Sequence, residues 1–379
     1  MDNTSERNFL GRMIIVLCLF VLFSLFTTGS AFGIWIDSYL RKVNIRQVSS
    51  VKIALLRSVA GSWKQVDIST GRFNGEGNLV EESRFSSEGV LQFAYTHSYD
   101  QDARMIASTG RRMRQGKIVN YNYRYRYDER GNQIESISDR SDDSVICRYT
   151  AKYDEKGNFI EGINYEGEEP VSKYVAKYDQ RNNLLEERKY TPYRDHDDLR
   201  YQLEYQHAYA YDLKNNLIEE TSFSSDGSLE YRYRYQYNDQ DKLVEAISYA
   251  NDNALLSRYV AKYDCHNNLV ESLKYDKNGQ MTFWHTAEYD AVNHLIKEKN
   301  LLGDTVRVVY EAAYDAAGNL LEETHLGEDG LGGSGLDYRY SYCYDSRNNR
   351  VEETYHVFFS EENQWQPISR QTNEISYQR

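Results

Sequence analysis

Between Tyr190 and Tyr201 the chain reads YTPYRDHDDLRY, which crowds Asp195, His196, Asp197 and Asp198 beside Tyr190, Tyr193 and Tyr201. Carboxylates with an imidazole can hold a divalent cation, or can hydrogen-bond a sugar that stacks on flanking aromatic rings. The plainer alternative is a solvated acidic loop, because loops of this composition are common at protein surfaces. These seven residues are the candidate ligand-binding set. No catalytic, cofactor-binding or metal site is assigned.

Other groupings lose their chemical meaning once spacing is considered. No HExxH, P-loop or GxSxG pattern occurs. The glycine-rich GEDGLGGSGLD, Gly327 to Asp337, lacks the strand-to-helix setting of a phosphate cradle and reads as a loop. Cys18, Cys147, Cys265 and Cys343 form no CxxC pair, so they are expected as free thiols. Glutamate recurs at Glu81, Glu135, Glu161, Glu186, Glu219, Glu245, Glu271, Glu322 and Glu352. A catalytic acid–base pair needs two carboxylates in different environments, and nine equivalent ones serve a structural end. Each is expected to accept from a tyrosine hydroxyl or to pair with Lys or Arg on a neighbouring strand.

The elements that position these residues follow from a repeat. Tyr-Asp recurs at Tyr99, Tyr127, Tyr153, Tyr178, Tyr211, Tyr263, Tyr289, Tyr314 and Tyr344, with the variants Phe73-Asn74 and Tyr237-Asn238. The period is about 26 residues, and the 190–201 stretch is an insertion within one copy. Three residues after the Asp stands Gly or Asn in most copies, for example Gly131, Asn215 and Gly318. An Asp that bonds the backbone ahead of a left-handed residue describes a tight hairpin turn. An aliphatic pair and a Glu follow, as in NLIEETSF (Asn216 to Phe223), and alternation places Leu217, Glu219, Thr221 and Phe223 on one face. A second turn and a tyrosine-rich returning strand, such as LEYRYRYQY, complete the unit. The fold class is therefore all-β, a repetitive antiparallel β-hairpin meander of about eleven repeats and 22 strands. A flat sheet of that size would be ~100 Å wide, so it is expected to coil into a spiral or shell-like sheet.

Composition agrees with this architecture. Only 40% of the 379 residues are hydrophobic even with 35 tyrosines counted, so tyrosine must supply much of the core. Tyr233 and Tyr237 occupy positions that are aromatic in nearly every copy, whereas Tyr125, Tyr209, Tyr235 and Tyr342 stand where other copies carry Ala. A net charge of -13 repels a phosphate backbone, and no nucleic-acid partner is expected.

The units YDERGNQI, YDEKGNFI, YDAAGNLL and YDLKNNLI resemble the YD-repeat (Rhs-repeat) family over residues 73–356. The resemblance implies a β-sheet shell or scaffold, often outside the cell. The unit here is longer than the family's usual one, and the Asp-Pro-containing motif that precedes the family's toxin domains is not present. The toxin-delivery role is accordingly not carried over, and no catalytic residue of the family maps onto this chain.

Residues Met13 to Ile36 carry no charge and are long enough to span a bilayer as one helix, while Gly29-Ser30-Ala31 also fits a signal-peptide cleavage site. Residues 1–36 are expected as a signal peptide or N-terminal membrane anchor, 37–72 as an N-terminal cap, 73–356 as the repeats and 357–379 as a C-terminal cap. The whole reads as a non-enzymatic scaffold or binding protein of the cell envelope, exported or anchored to the membrane through residues 13–36. Its expected partner is envelope polysaccharide or a surface protein, with no cofactor. The alternative is a cell-wall glycan-active enzyme using the 190–201 insertion.

Overall fold

The computed structural model describes residues 48–59, 62–141, 146–196, 198–302, 305–326, 337–359 and 362–377. The apolar segment 13–36, Cys18, Asp197 and nearly all of the glycine-rich stretch lie outside them, as does the helix expected before the repeats. Among the described residues, 24 strands form one antiparallel sheet from β1 (Val48–Val59) and β2 (Ser62–Phe73) to β23 (Arg350–Phe359) and β24 (Gln364–Tyr377).

Turn chemistry builds each hairpin. In the copy at Tyr211, Asp212 Oδ1 accepts from the backbone N–H groups of Lys214 and Asn216 at 2.8 and 2.9 Å. Asn215 takes φ +70° and donates its N–H to the Asp212 carbonyl. The left-handed residue also carries a contact that backbone geometry alone does not require. Asn183 Nδ2 donates to Asn215 Oδ1 at 3.0 Å, and Asn158–Asn182, Asn268–Asn293 and Asn319–Asn348 repeat the bond. Asparagine at this position thus links one turn to the next, which glycine cannot do.

A β-bulge follows each of these turns and corrects the simple alternation. In β12 (Asp198–Tyr211) against β13 (Leu217–Ser224), Tyr211 pairs with Leu217 while Ala210 pairs with Glu219. The extra residue places Leu217 on the tyrosine face and Glu219 on the opposite one, so the two do not share a face. The carbonyl at the bulge then serves as an acceptor. Tyr237 Oη donates to the Leu217 carbonyl at 2.9 Å, and Tyr99, Tyr127, Tyr263 and Tyr344 reach Leu79, Met105, Leu243 and Leu320 in the same way. The recurring tyrosine is therefore a clamp between successive hairpins through its hydroxyl as well as a core ring.

On the tyrosine face, large residues of one strand lie over small residues of the next. Tyr95 and Tyr121 face each other with ring centroids 6.3 Å apart across Gly110, where a Cβ would sit 2.1 Å from the Tyr95 ring. His207 and Tyr231 bracket Ser222 at 6.2 Å. Tyr95 is 3% exposed and Ser222 1% exposed. A closed single-layer sheet shelters only its inner face, so the tyrosines point inward. The other face carries the glutamate row, each Glu set against a cation of a neighbouring strand, as in Lys152–Glu161 at 2.8 Å and Arg234–Glu219 at 2.9 Å. This matches the pairing expected for the ladder.

The sheet closes, which corrects the open spiral. β1 pairs antiparallel with β24, with Val51 opposite Ile375 and Ala54 opposite Thr372. The segments at the two ends of the repeat array thus satisfy each other's edges, and an even strand number gives that pair the required antiparallel sense. A chain lacking residues 360–379 is expected to expose the edges of β1 and β23 and to self-associate. Size-exclusion chromatography checks this; a monomer that melts like the full chain would contradict closure.

Candidate functional site

The 190–201 insertion lengthens one hairpin, β11 (Leu184–Asp195) and β12, into a projecting arm. Tyr193 pairs with Arg200 and Asp195 with Asp198, while Pro192 pairs with Tyr201 and Tyr190 with Leu203. Tyr193, Asp195 and Asp198 therefore share one face, and Tyr190 and Tyr201 lie on the other. His196 sits at the tip with φ +60° and its side chain in solvent. Asp195 is held by Arg200 at 2.8 Å and by His196 Nδ1 at 3.1 Å. Lys173 Nζ lies 5.3 Å from the Tyr201 ring centre, and Arg194 bonds Glu169 at 2.7 Å. The arm is a cross-braced, charge-paired surface rather than a pocket. Among the described residues, no three His, Cys, Asp or Glu converge as metal ligands.

Where β24, β1 and the first repeats meet, the outer face forms an open groove of about 1080 Å³. Its floor is a lattice of hydroxyls, with Thr70 and Ser83 hydrogen-bonded at 2.8 Å and Thr96 and Thr109 at 2.9 Å. Asn120, Asn122 and Arg111 line one side. On the other, Lys52 bonds Glu374 at 3.3 Å across the closing seam. Paired donors and acceptors in an open floor, which also carries the Arg72–Glu81 ion pair, suit an extended polar ligand. No local motif marks this groove, because its two walls are joined only by the pairing of the first and last strands.

The inner face holds a second set of carboxylates, distinct from the ladder read in the sequence. Glu187, Glu220 and Glu323 each receive the hydroxyl of an extra tyrosine: Tyr209 to Glu187 at 3.0 Å, Tyr235 to Glu220 at 3.3 Å and Tyr342 to Glu323 at 2.7 Å. Where the tyrosine is replaced by Ala151, Ala176, Ala261 or Ala287, the carboxylate position is Ser136, Gly162, Ala246 or Ser272. In these copies Glu and Tyr enter and leave together, because a buried carboxylate without a donor is costly. Two copies depart: Ala312 stands with Glu298, which takes Asn300 and His285 as partners, and Tyr125 stands with Ser108. That co-occurrence is the sequence signal that reveals these residues. Glu82 is buried beside His97, whose Nε2 stands 3.5 Å away.

Burial sets the titration of this set. Desolvation raises the Glu187 carboxyl above the ordinary glutamate range, although the Tyr209 hydrogen bond opposes it. The Tyr209 hydroxyl is pushed up by the same burial and by Glu187. The turn aspartates move the other way: the Asn158 side chain and backbone hold Asp154 below its usual value.

No protein-family model matches the chain, and no curated protein sequence matches it. Among solved structures, a TcdB2–TccC3–TEV structure is similar at TM-score 0.38 and 10% identity, covering 83% of this chain and 19% of that one. The Photorhabdus luminescens Tc holotoxin pore gives TM-score 0.31 and 10% identity over 83% of this chain and 26% of its own. A porin-like protein from Bacteroides uniformis gives TM-score 0.29 and 11% identity over 62% of this chain and 94% of its own. The chain thus spans about a fifth to a quarter of the first two.

Two outcomes test the inner face. Tyr209→Phe should leave Glu187 without its donor and cost about 1–3 kcal/mol in denaturant unfolding. A carboxyl raised in the folded state lends stability below its unfolded value and loses it as pH rises through the folded value. Glu187→Gln should therefore melt higher than wild type at pH 8, with the difference vanishing near pH 4; a pH-independent difference would contradict the assignment.

Proposed function

We propose that the chain is a non-enzymatic β-barrel scaffold of the cell envelope, exported or anchored by its N-terminus, that binds an envelope polysaccharide along the seam groove. The observation that carries this reading is the groove's chemistry. Hydroxyls and the Arg72–Glu81 pair along its floor, with Lys52 on one side and Arg111, Asn120 and Asn122 on the other, match the alternating donors and acceptors of a glycan chain. Apolar cores are poor at such recognition, and here the ladder tyrosines are turned inward while the polar rows face outward. The arm at 190–201 offers a second contact surface through Tyr193 and Asp198.

The protein-partner reading predicts that such a surface retains an envelope protein rather than a sugar. The glycan-active alternative asks Asp195 or Asp198 to act as a free acid, and the Arg200 and His196 contacts on Asp195 weigh against it. Binding of purified full-length protein to an envelope polysaccharide panel tests the proposal. Arg111→Ala with Asn122→Ala should weaken binding at least tenfold, about 1.4 kcal/mol, with the melting temperature kept. Binding that survives the double variant but falls with Tyr193→Ala and Asp198→Ala would move the site to the arm, and absence of any glycan binding would remove the reading.

A further inference from the structure

Closure leaves the wall without an edge, yet the projecting arm makes a new one. β12 pairs with β13 only from Tyr205, opposite Ser224, onward, so among the described residues Asp198 to Glu204 pair with β11 alone. A two-residue tip makes Asp195 and Asp198 a hydrogen-bonded closing pair. Alternation counted from that pair turns the N–H and C=O groups of Leu199, Tyr201 and Leu203 away from β11, along an edge of roughly 20 Å. The other flank of the arm is blunted. The ladder between β10 (Glu169–Tyr178) and β11 ends at Tyr190, Pro192 beyond it has no N–H to offer, and Arg194 reaches across to Glu169 at 2.7 Å.

A row of alternating donors and acceptors at strand spacing is matched by another extended backbone, and a two-stranded ribbon is only marginally stable in water without one. Pairing this edge with itself is charge-matched in one register. With Gln202 on a two-fold axis, antiparallel order sets Arg200 opposite Glu204 of the second copy twice, and Tyr201 opposite Leu203 twice. Moving the axis to Tyr201 sets Asp198 against Glu204, and moving it to Arg200 sets that cation against itself. Moving it toward the barrel brings in Tyr205, whose edge β13 already occupies. Within each arm Arg200 bonds Asp195 and Glu204 bonds Lys189, both at 2.8 Å. A guanidinium and a carboxylate each have capacity for a second partner. We infer that two copies of this chain associate arm to arm through their β12 edges, as an antiparallel four-stranded sheet with its two-fold axis at Gln202. Pro192 ends that sheet on each outer flank, so the assembly closes as a dimer and does not grow into a fibre. Each dimer presents two seam grooves, and a glycan long enough to reach both gains avidity. The pairing itself does not depend on what the grooves bind.

Sedimentation equilibrium of the full chain tests the assembly, and wild type should sediment at twice the mass of one chain. Arg200→Glu and Glu204→Arg should each weaken association at least tenfold, because each brings like charges together. An equimolar mixture of the two variants restores both opposite-charge pairs and should re-form the dimer. Tyr201→Pro removes an N–H from the free edge and none from the arm's own ladder, so it should give a monomer with the far-UV circular dichroism of the barrel kept. A monomeric wild type, a dimer indifferent to these variants, or a mixture that stays monomeric overturns the arm pairing.

Discussion

A tyrosine hydroxyl closing on a bulge carbonyl sets the spacing on which the rest of the barrel depends. The bulge after each Asp turn opens a carbonyl at positions such as Leu217 and Leu243, and the tyrosine of the next unit, Tyr237 or Tyr263, occupies it. A buried carbonyl left open would cost about as much as a lost hydrogen bond, so each hairpin demands its successor. Other tyrosines of the same strands, such as Tyr231, lie beside small residues of the adjacent strand, such as Ser222, and the Asn ladder joins the turns. One residue type therefore fixes both the distance between units and their facing, and the array grows without a conventional aliphatic core.

Such an array must end somewhere, and its two edges are its hazard. Pairing β1 with β24 removes both, and it also makes the outer wall at the seam depart from the repeat. The seam groove arises there from Lys52, Thr70 and Thr96 on one side and Glu374 and Ser376 on the other. The periodicity of the outer wall breaks at the seam and at the projecting arm. The repeats themselves supply the frame, with paired Lys, Arg and Glu outside and tyrosine inside.

Much of this frame was legible because its causes are local. Asp212, Asn215 and the alternation in Tyr231, Tyr233 and Tyr235 announce turn and strand within a single copy. The bulge was not legible, because Leu217, Ile218 and Glu219 alternate no differently from a straight strand; the shift is visible only in which residue faces Tyr211. Closure was hidden for the opposite reason, since Val51 and Ile375 meet across more than 300 residues and no local pattern encodes their pairing. The 190–201 cluster was legible as composition but not as geometry, because period-2 alternation divides Tyr190 and Tyr201 from Tyr193, Asp195 and Asp198. The extra tyrosines Tyr209, Tyr235 and Tyr342 stand out in the sequence without their reason, which is the inner Glu187, Glu220 and Glu323.

Residue-resolved hydrogen exchange across the seam tests the central claim of a closed barrel most directly. Closure predicts that Leu55 to Val51 in β1 and Gln371 to Ile375 in β24 exchange as slowly at every position as the interior strand β14 (Leu229–Tyr237). An alternating pattern, with every second amide of β24 exchanging as fast as a free edge while the β23-facing amides stay protected, would show an open sheet and contradict the account.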